Sequence, residues 1–301
     1  MKTDHQGVTR AGAARMMALA LLWGSSFLWI KLALRGFSPV QIVFARLLLG
    51  FVVLAPLALS RGLRFPRGWT TWAHLFFAAL VSNAMPYVLF GVGEQTVGSN
   101  VAGVLNATTP LWTLLLAFLT GTDRSVTAPK AAGFVLGFVG VVVIFSPWQS
   151  ANEIASWGGI ACLVAAACYA VGFIYMGRHL IGRGISPLML SASQLGAATI
   201  LLAVAMPLAG TALPVWRADA VAGLVVLGAI GTGIAYVLNY RIIQDDGPTV
   251  ASTVTYLLPV VAVILGWLAL DEAITPAVLA GITLVLLGVA LTRKPSIGRA
   301  T

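Results

Sequence analysis

Apolar residues run along this chain in ten long stretches, at 16–34, 39–59, 71–93, 98–119, 130–146, 157–177, 187–208, 219–240, 249–270 and 276–292. A bilayer's hydrocarbon core is about 30 Å thick, and a helix rising 1.5 Å per residue crosses it in roughly 20 residues. The stretches approximate that length. They are rich in Gly, Ala and Leu, lack strict alternation and outrun a membrane barrel strand of about ten residues, so they predict helices. Runs such as Gly133-Phe-Val-Leu-Gly137 predict close backbone approach between helices. The connections are too short for a soluble domain.

Composition agrees with the pattern. Apolar residues make up 59% of the chain and charged residues 9%, too little polar material to surface a soluble core. The first apolar run follows Arg10 and Arg15 like a signal peptide, but it is too long for one and nine further spans follow, so it is expected to remain. Cys162 and Cys168 share one apolar run and read as small packing residues, with no metal or disulfide spacing.

The net charge of +9 could suggest nucleic acid, but its distribution favours a bilayer. With the N-terminus inside, 14 Lys and Arg fall on inner segments and 3 (Lys31, Arg35, Arg217) on outer ones, with Arg46 inside a span. The positive-inside rule then places both termini in the cytoplasm, as an even number of spans requires. The chain is expected in a membrane, with lipid as its solvent and no nucleic-acid partner.

The chain also repeats itself. Residues 87–123 align with 236–272 at an offset of 149: Tyr87-Val-Leu with Tyr236-Val-Leu, Gly98 with Gly247, Ala102 with Ala251, Pro110 with Pro259, and Asp123 with Glu272. The following helix aligns at 148, Ala132-Gly133 with Ala280-Gly281 and Gly140-Val141 with Gly288-Val289. Ser38-Pro39 and Ser186-Pro187 also stand 148 apart, which sets Arg46 opposite Gln194. Each half holds five spans, an odd number, so the second copy enters the membrane from the other side. The expected fold is an all-α integral membrane protein of ten transmembrane helices in two inverted five-helix repeats. Its parts are a tail at 1–15, repeats at 16–147 and 156–292, and a tail at 293–301. Inverted repeats recur in transporters, with the solute site near the midplane between the halves. A channel, receptor or scaffold built on a stable duplicated bundle is the bland alternative.

Trp23-Gly24-Ser25-Ser26-Phe27 with Lys31 resembles the opening of EamA-type members of the drug/metabolite transporter superfamily. So do the stretches from Gln95 to Pro110 and Asp123, from Gly247 to Pro259 and Glu272, and the Gly-rich helices 130–146 and 276–292. The resemblance covers residues 15–293 and departs at Asp123, where Glu is usual. It implies alternating access in the plasma membrane and export of amino acids or related metabolites, with the YddG-like amino-acid exporters as the candidate branch.

Polar groups inside spans usually face the bundle or a wet cavity. Asn83, Tyr87 and Phe90 share one helical face, and their repeat partners are Thr232, Tyr236 and Asn239. Asn106, Thr109 and Thr113 make a stripe in the fourth span, and Ser252, Thr255 and Tyr256 lie in the ninth. Ser26, Trp29, Tyr169 and Phe173 are the inward groups expected of the first and sixth. The substrate-binding candidates are therefore Ser26, Trp29, Arg46, Asn83, Tyr87, Asn106, Thr109, Tyr169, Phe173, Tyr236, Asn239 and Tyr256. Isolated Ser and Thr more often serve interhelical hydrogen bonds. Tyr and Asn together suit a solute with both apolar and polar parts. Arg46 lies about seven residues into its span, roughly 10 Å deep at 1.5 Å per residue. Two readings stand: snorkelling to the surface, or attraction of an anionic group such as a carboxylate. Lys31, nearer its helix end, is expected to snorkel. Pro110 and Pro259 are expected to act as matched kinks, with Pro86 a third.

Of nine carboxylates only Glu94 plausibly enters a span, near its outer end. Obligate proton coupling is therefore not expected, and no phosphate-binding loop points to ATP. The acids and histidines give no catalytic or metal spacing, so no enzyme activity and no cofactor are expected. The expected function is a secondary or facilitative carrier, a monomer, exporting neutral amino acids such as threonine, methionine or aromatic ones. Rival readings are export of other metabolites or drugs (purines, sugars, cations), a channel, and a membrane enzyme.

Overall fold

A computed structural model describes residues 10–93, 96–97, 99–122, 127–146, 148, 151–206, 213–270 and 275–292. Among them are helices and connections but no strand. Glu94, Gly98, Asp123 and Glu272, and the side chain of Lys31, lie outside the described residues.

Ten spans form in sequence order. The first is Arg10–Gly24 continued by Ser26–Ala33, the second Pro39–Ser60, the third Trp69–Gly93, and the fourth Ser99–Asn106 with Thr109–Leu119. The fifth is Ala128–Phe145, the sixth Trp157–His179, the seventh Pro187–Ala205 and the eighth Ala218–Asp246. The ninth is Pro248–Ser252 with Val254–Leu270 and the tenth Pro276–Thr292. Among the described residues nine helices are long and apolar enough to cross a bilayer, and Pro276–Thr292 is a shorter apolar one. The eighth outruns its apolar stretch because its end is polar: Arg241, Gln244, Asp245 and Asp246 close the helix.

The Ser-Pro pairs start matched helices. Ser38 accepts from the Gln41 amide at 3.4 Å, and the Gln41 side chain returns the bond to Ser38's amide at 2.9 Å. Ser186 accepts from Met189 at 3.3 Å, with Pro187 in the first turn where no amide donor is needed. The prolines inside spans differ from expectation. Pro110 follows a break at Ala107–Thr108 and sits in the first turn of the helix that restarts there, whereas Pro259 lies within continuous helix.

The fifth and tenth spans meet backbone to backbone. A Cβ on Gly133 would stand 2.7 Å from Gly288 O, and one on Gly140 2.7 Å from Gly281 O. Only glycine permits that approach. Since 133 pairs with 281 and 140 with 288 in the repeat, the contact is self-complementary under exchange of the halves, the mark of a pseudo-two-fold axis.

Two ends of the bundle follow. At the near end, where the first span begins, Arg15 pairs with Asp245, and Arg183 Nη1 reaches Thr71 Oγ1 at 3.3 Å. At the far end Arg35 Nη1 meets Asp219 Oδ2 at 3.0 Å and Arg217 Nε meets Asp219 Oδ1 at 3.1 Å. The hydrogen bond and charge of Asp219 raise the Arg217 guanidinium above its ordinary pKa. Val52, Val53, Phe118, Leu119, Val204 and Leu287 are exposed, an apolar exterior suited to lipid.

Candidate functional site

The third and eighth spans each contain a π-helical segment, Leu80–Ala84 and Val226–Ile234. Shifted by 149 the first becomes 229–233, inside the second, so the same irregularity recurs in both halves. Such bulges break the regular ladder of backbone bonds and recur at functional sites. Two matched carbonyls here lack their usual α-helical donors. Ser82 O would take its α-helical donor from residue 86, which is Pro86 and has none. Gly231 O, its repeat partner, would be served by Ala235, whose amide instead donates to Ile230 and Thr232.

Around these segments the halves exchange side-chain bonds across the pseudo-axis. In the near half, Gln194 Nε2 donates to Asn83 Oδ1 at 2.8 Å, and Asn83 Nδ2 donates to the Tyr236 hydroxyl at 2.5 Å. Tyr236 passes its own proton to Ser82 O at 3.1 Å, and Tyr240 donates to Gln194 Oε1. Trp23 meets the Tyr236 ring edge-on at 6.3 Å. Asn83, Gln194 and Tyr240 are wholly buried and Tyr236 is 4% exposed, so this half is sealed.

The far half uses the equivalent positions differently. Arg46, the counterpart of Gln194, donates from Nε to Thr232 Oγ1 at 3.0 Å, and Thr232 is the counterpart of Asn83. Its guanidinium carbon lies 4.6 Å from the Tyr87 ring centroid, within cation–π range. Tyr87, the counterpart of Tyr236, is half-buried, and its hydroxyl forms no hydrogen bond among the described residues. Tyr169 meets Tyr87 edge-on at 6.4 Å and stacks on Phe90 at 6.0 Å.

Arg46 decides between the two readings of an intramembrane cation. It is 7% exposed and turns inward, so it does not snorkel. Among the described residues no carboxylate pairs with it, and its two Nη groups make no hydrogen bond. That fork matches a carboxylate in spacing and charge.

The candidate residues therefore separate. Asn83 and Tyr236 are bonded to each other in the near half, while Tyr87 touches both Arg46 and Tyr169 in the far half. Asn239 is buried, and its Oδ1 has no hydrogen-bond partner among the described residues. Asn106 is half-buried, with Oδ1 likewise unpartnered. Ser26 bonds back to Leu22 O at 2.9 Å, and Thr109 reaches Ala166 O at 3.3 Å. Tyr256 donates to Phe134 O at 2.9 Å with its ring against Gly137, a packing role between the fifth and ninth spans. Phe173 is buried in the main core, and Trp29 packs in a separate far-end cluster with Phe37 and Leu227. Ser82, Gln194, Thr232 and Tyr240 complete the network. The repeat offset had already set Gln194 opposite Arg46 and Thr232 opposite Asn83, a usable signal; nothing in the sequence marked Tyr240.

Each half matches a known family separately. A model of the EamA-like transporter family matches residues 10–146 and again 156–294. The chain belongs to that family. It is similar to the uncharacterized inner membrane transporter YedA of Escherichia coli K12, 28% identical over 287 residues and 88% of each chain. An uncharacterized transporter of Archaeoglobus fulgidus is 27% identical over 89% of this chain and 93% of its own. YdfC of Bacillus subtilis, also an uncharacterized transporter, is 27% identical over 90% and 87%. A solved crystal structure has the same fold, with a TM-score of 0.78 and 21% identity over 94% of this chain and 98% of that one. This EamA-type chain is a multi-pass membrane transporter; family and relatives point away from an enzyme.

Proposed function

We propose that this transporter moves neutral amino acids outward across the inner (plasma) membrane by alternating access, with both termini cytoplasmic. The observation that carries the reading is the inward-facing Arg46 fork, free of any described carboxylate and bordered by Tyr87 and Tyr169. A guanidinium held among aromatic rings supplies a carboxylate with two parallel hydrogen bonds and a side chain with apolar contact. Cationic drugs fit such a site poorly, since a fixed positive charge repels them. Inner-membrane placement follows the name carried by the relative YedA and the excess of Lys and Arg on the near end. Inverted repeats support alternation between two inverse states.

Counterflow in proteoliposomes tests the reading. Vesicles loaded with unlabelled L-threonine, L-methionine or L-phenylalanine should accumulate the labelled amino acid without an imposed pH gradient. No uptake, and no competition by any amino acid, would refute the solute class. Strict dependence on a pH gradient that disappears in Glu94→Gln would refute gradient-free exchange.

A further inference from the structure

We infer that Tyr87 is the latch of the far half, held open by the Arg46 side chain and released when a solute carboxylate takes that guanidinium. The inference rests on the carrier reading above, and deepens it by naming the gate and the group that trips it.

The argument is one of broken symmetry. Tyr236 closes the near half by donating to Ser82 O, a carbonyl deprived of its helical donor by Pro86. The matched residue in the far half is Tyr87, and the matched acceptor is Gly231 O, whose own donor the π-helical segment diverts to Ile230 and Thr232. Both parts of the second latch are present, and they are not joined. Arg46 touches both sides, bonded at 3.0 Å to Thr232, the neighbour of Gly231, and with its guanidinium carbon 4.6 Å from the Tyr87 ring centroid. Its repeat partner Gln194 is uncharged and leaves Tyr236 a clear path to Ser82. The exchange of Arg for Gln between the halves is thus the difference that sets a cation beside the open latch and none beside the closed one.

A carboxylate binding the Arg46 fork competes with the Tyr87 ring for the same cation. It draws the guanidinium off the ring and removes what holds Tyr87 away from Gly231. Tyr87 then donates its hydroxyl proton to the Gly231 carbonyl, as Tyr236 does to Ser82, and the far halves of the third and eighth spans approach. No covalent bond forms or breaks.

The test places spin labels on Val92→Cys and Val225→Cys, in the far halves of the third and eighth spans, with Cys162 and Cys168 replaced by Ala. The full-length protein is reconstituted in lipid and the inter-label distance is measured. In the otherwise wild-type protein the distance should be long and should gain a shorter population on adding L-methionine. Arg46→Gln, which installs the residue of the other half, should show the short population without any solute, while Arg46→Lys keeps the charge and stays long. Tyr87→Phe keeps the ring under Arg46 but lacks the hydroxyl. It should stay long with L-methionine, and exchange should slow about fivefold or more, the loss of one hydrogen bond. An Arg46→Gln distance equal to wild type, or a Tyr87→Phe protein that shortens as wild type does, would overturn the latch. If Arg46→Gln closes while no amino acid shifts the wild-type distance or exchanges, the latch stands and the solute class fails.

Discussion

Asn83 and Tyr236 belong to different halves of the chain, and the amide of the first donates to the hydroxyl of the second at 2.5 Å. The bond ties the halves together inside a sealed region where neither group has water to fall back on. Tyr236→Phe should strand Asn83 Nδ2 and Ser82 O. Interhelical hydrogen bonds in membranes average about 0.6 kcal/mol, because the unfolded chain also finds partners there. Two stranded groups raise the expected loss to about 1–2 kcal/mol. A shift of that size in the detergent-unfolding midpoint checks it, and an unchanged midpoint would mean the network does not hold the near half.

Arg46→Ala should weaken solutes by their carboxylate. Charge-assisted hydrogen bonds contribute about 1.5–3 kcal/mol, so the half-saturation concentration should rise roughly ten- to hundredfold. The methyl ester of the same amino acid, a cation without the carboxylate, should lose no affinity in the variant. Equal losses for acid and ester would show that Arg46 shapes the site without touching the carboxylate.

Gly288→Val should prevent normal folding. A Cβ there would stand 2.5 Å from Gly137 N and 2.7 Å from Gly133 O, both backbone atoms that cannot turn aside. Overpacking costs about 1–3 kcal/mol even where side chains can shift, and more where they cannot. Size-exclusion chromatography should lose the monodisperse peak, whereas Leu287→Val, on the exposed face one residue away, should keep it.

The orientation has its own check. In a background with Cys162 and Cys168 replaced by Ala, a membrane-impermeant maleimide should label Leu213→Cys, at the far end, in intact cells. Arg64→Cys, at the near end, should react only after permeabilisation. The reverse pattern would invert the topology.

Much of this was legible in the sequence, for physical reasons. Span number follows from bilayer thickness, and the internal symmetry from spacings shared by residues as different as Tyr87 and Tyr236, or Ser38 and Ser186. The pairing of Arg46 with Gln194 also follows from the offset, although what each would bind does not. Side-chain type alone could not separate Tyr256, which packs on Gly137, from Tyr236, which closes a hydrogen-bond chain. The π-helical segments escaped notice because local propensity in Leu-, Ala- and Gly-rich runs suits an α-helix equally well. Pro110 and Pro259 match in sequence yet differ in role, since a break at Ala107–Thr108 lets Pro110 begin a helix.

The seam between the fifth and tenth spans also constrains biosynthesis. Gly133 and Gly140 offer bare backbone to partners, Gly288 and Gly281, that the ribosome makes only after four further spans. Until those residues enter the membrane, the first half has nothing of its own to cover that groove. A nascent chain stalled before residue 281 should therefore be the form most exposed to membrane chaperones and quality-control proteases. Release should come with the last helix.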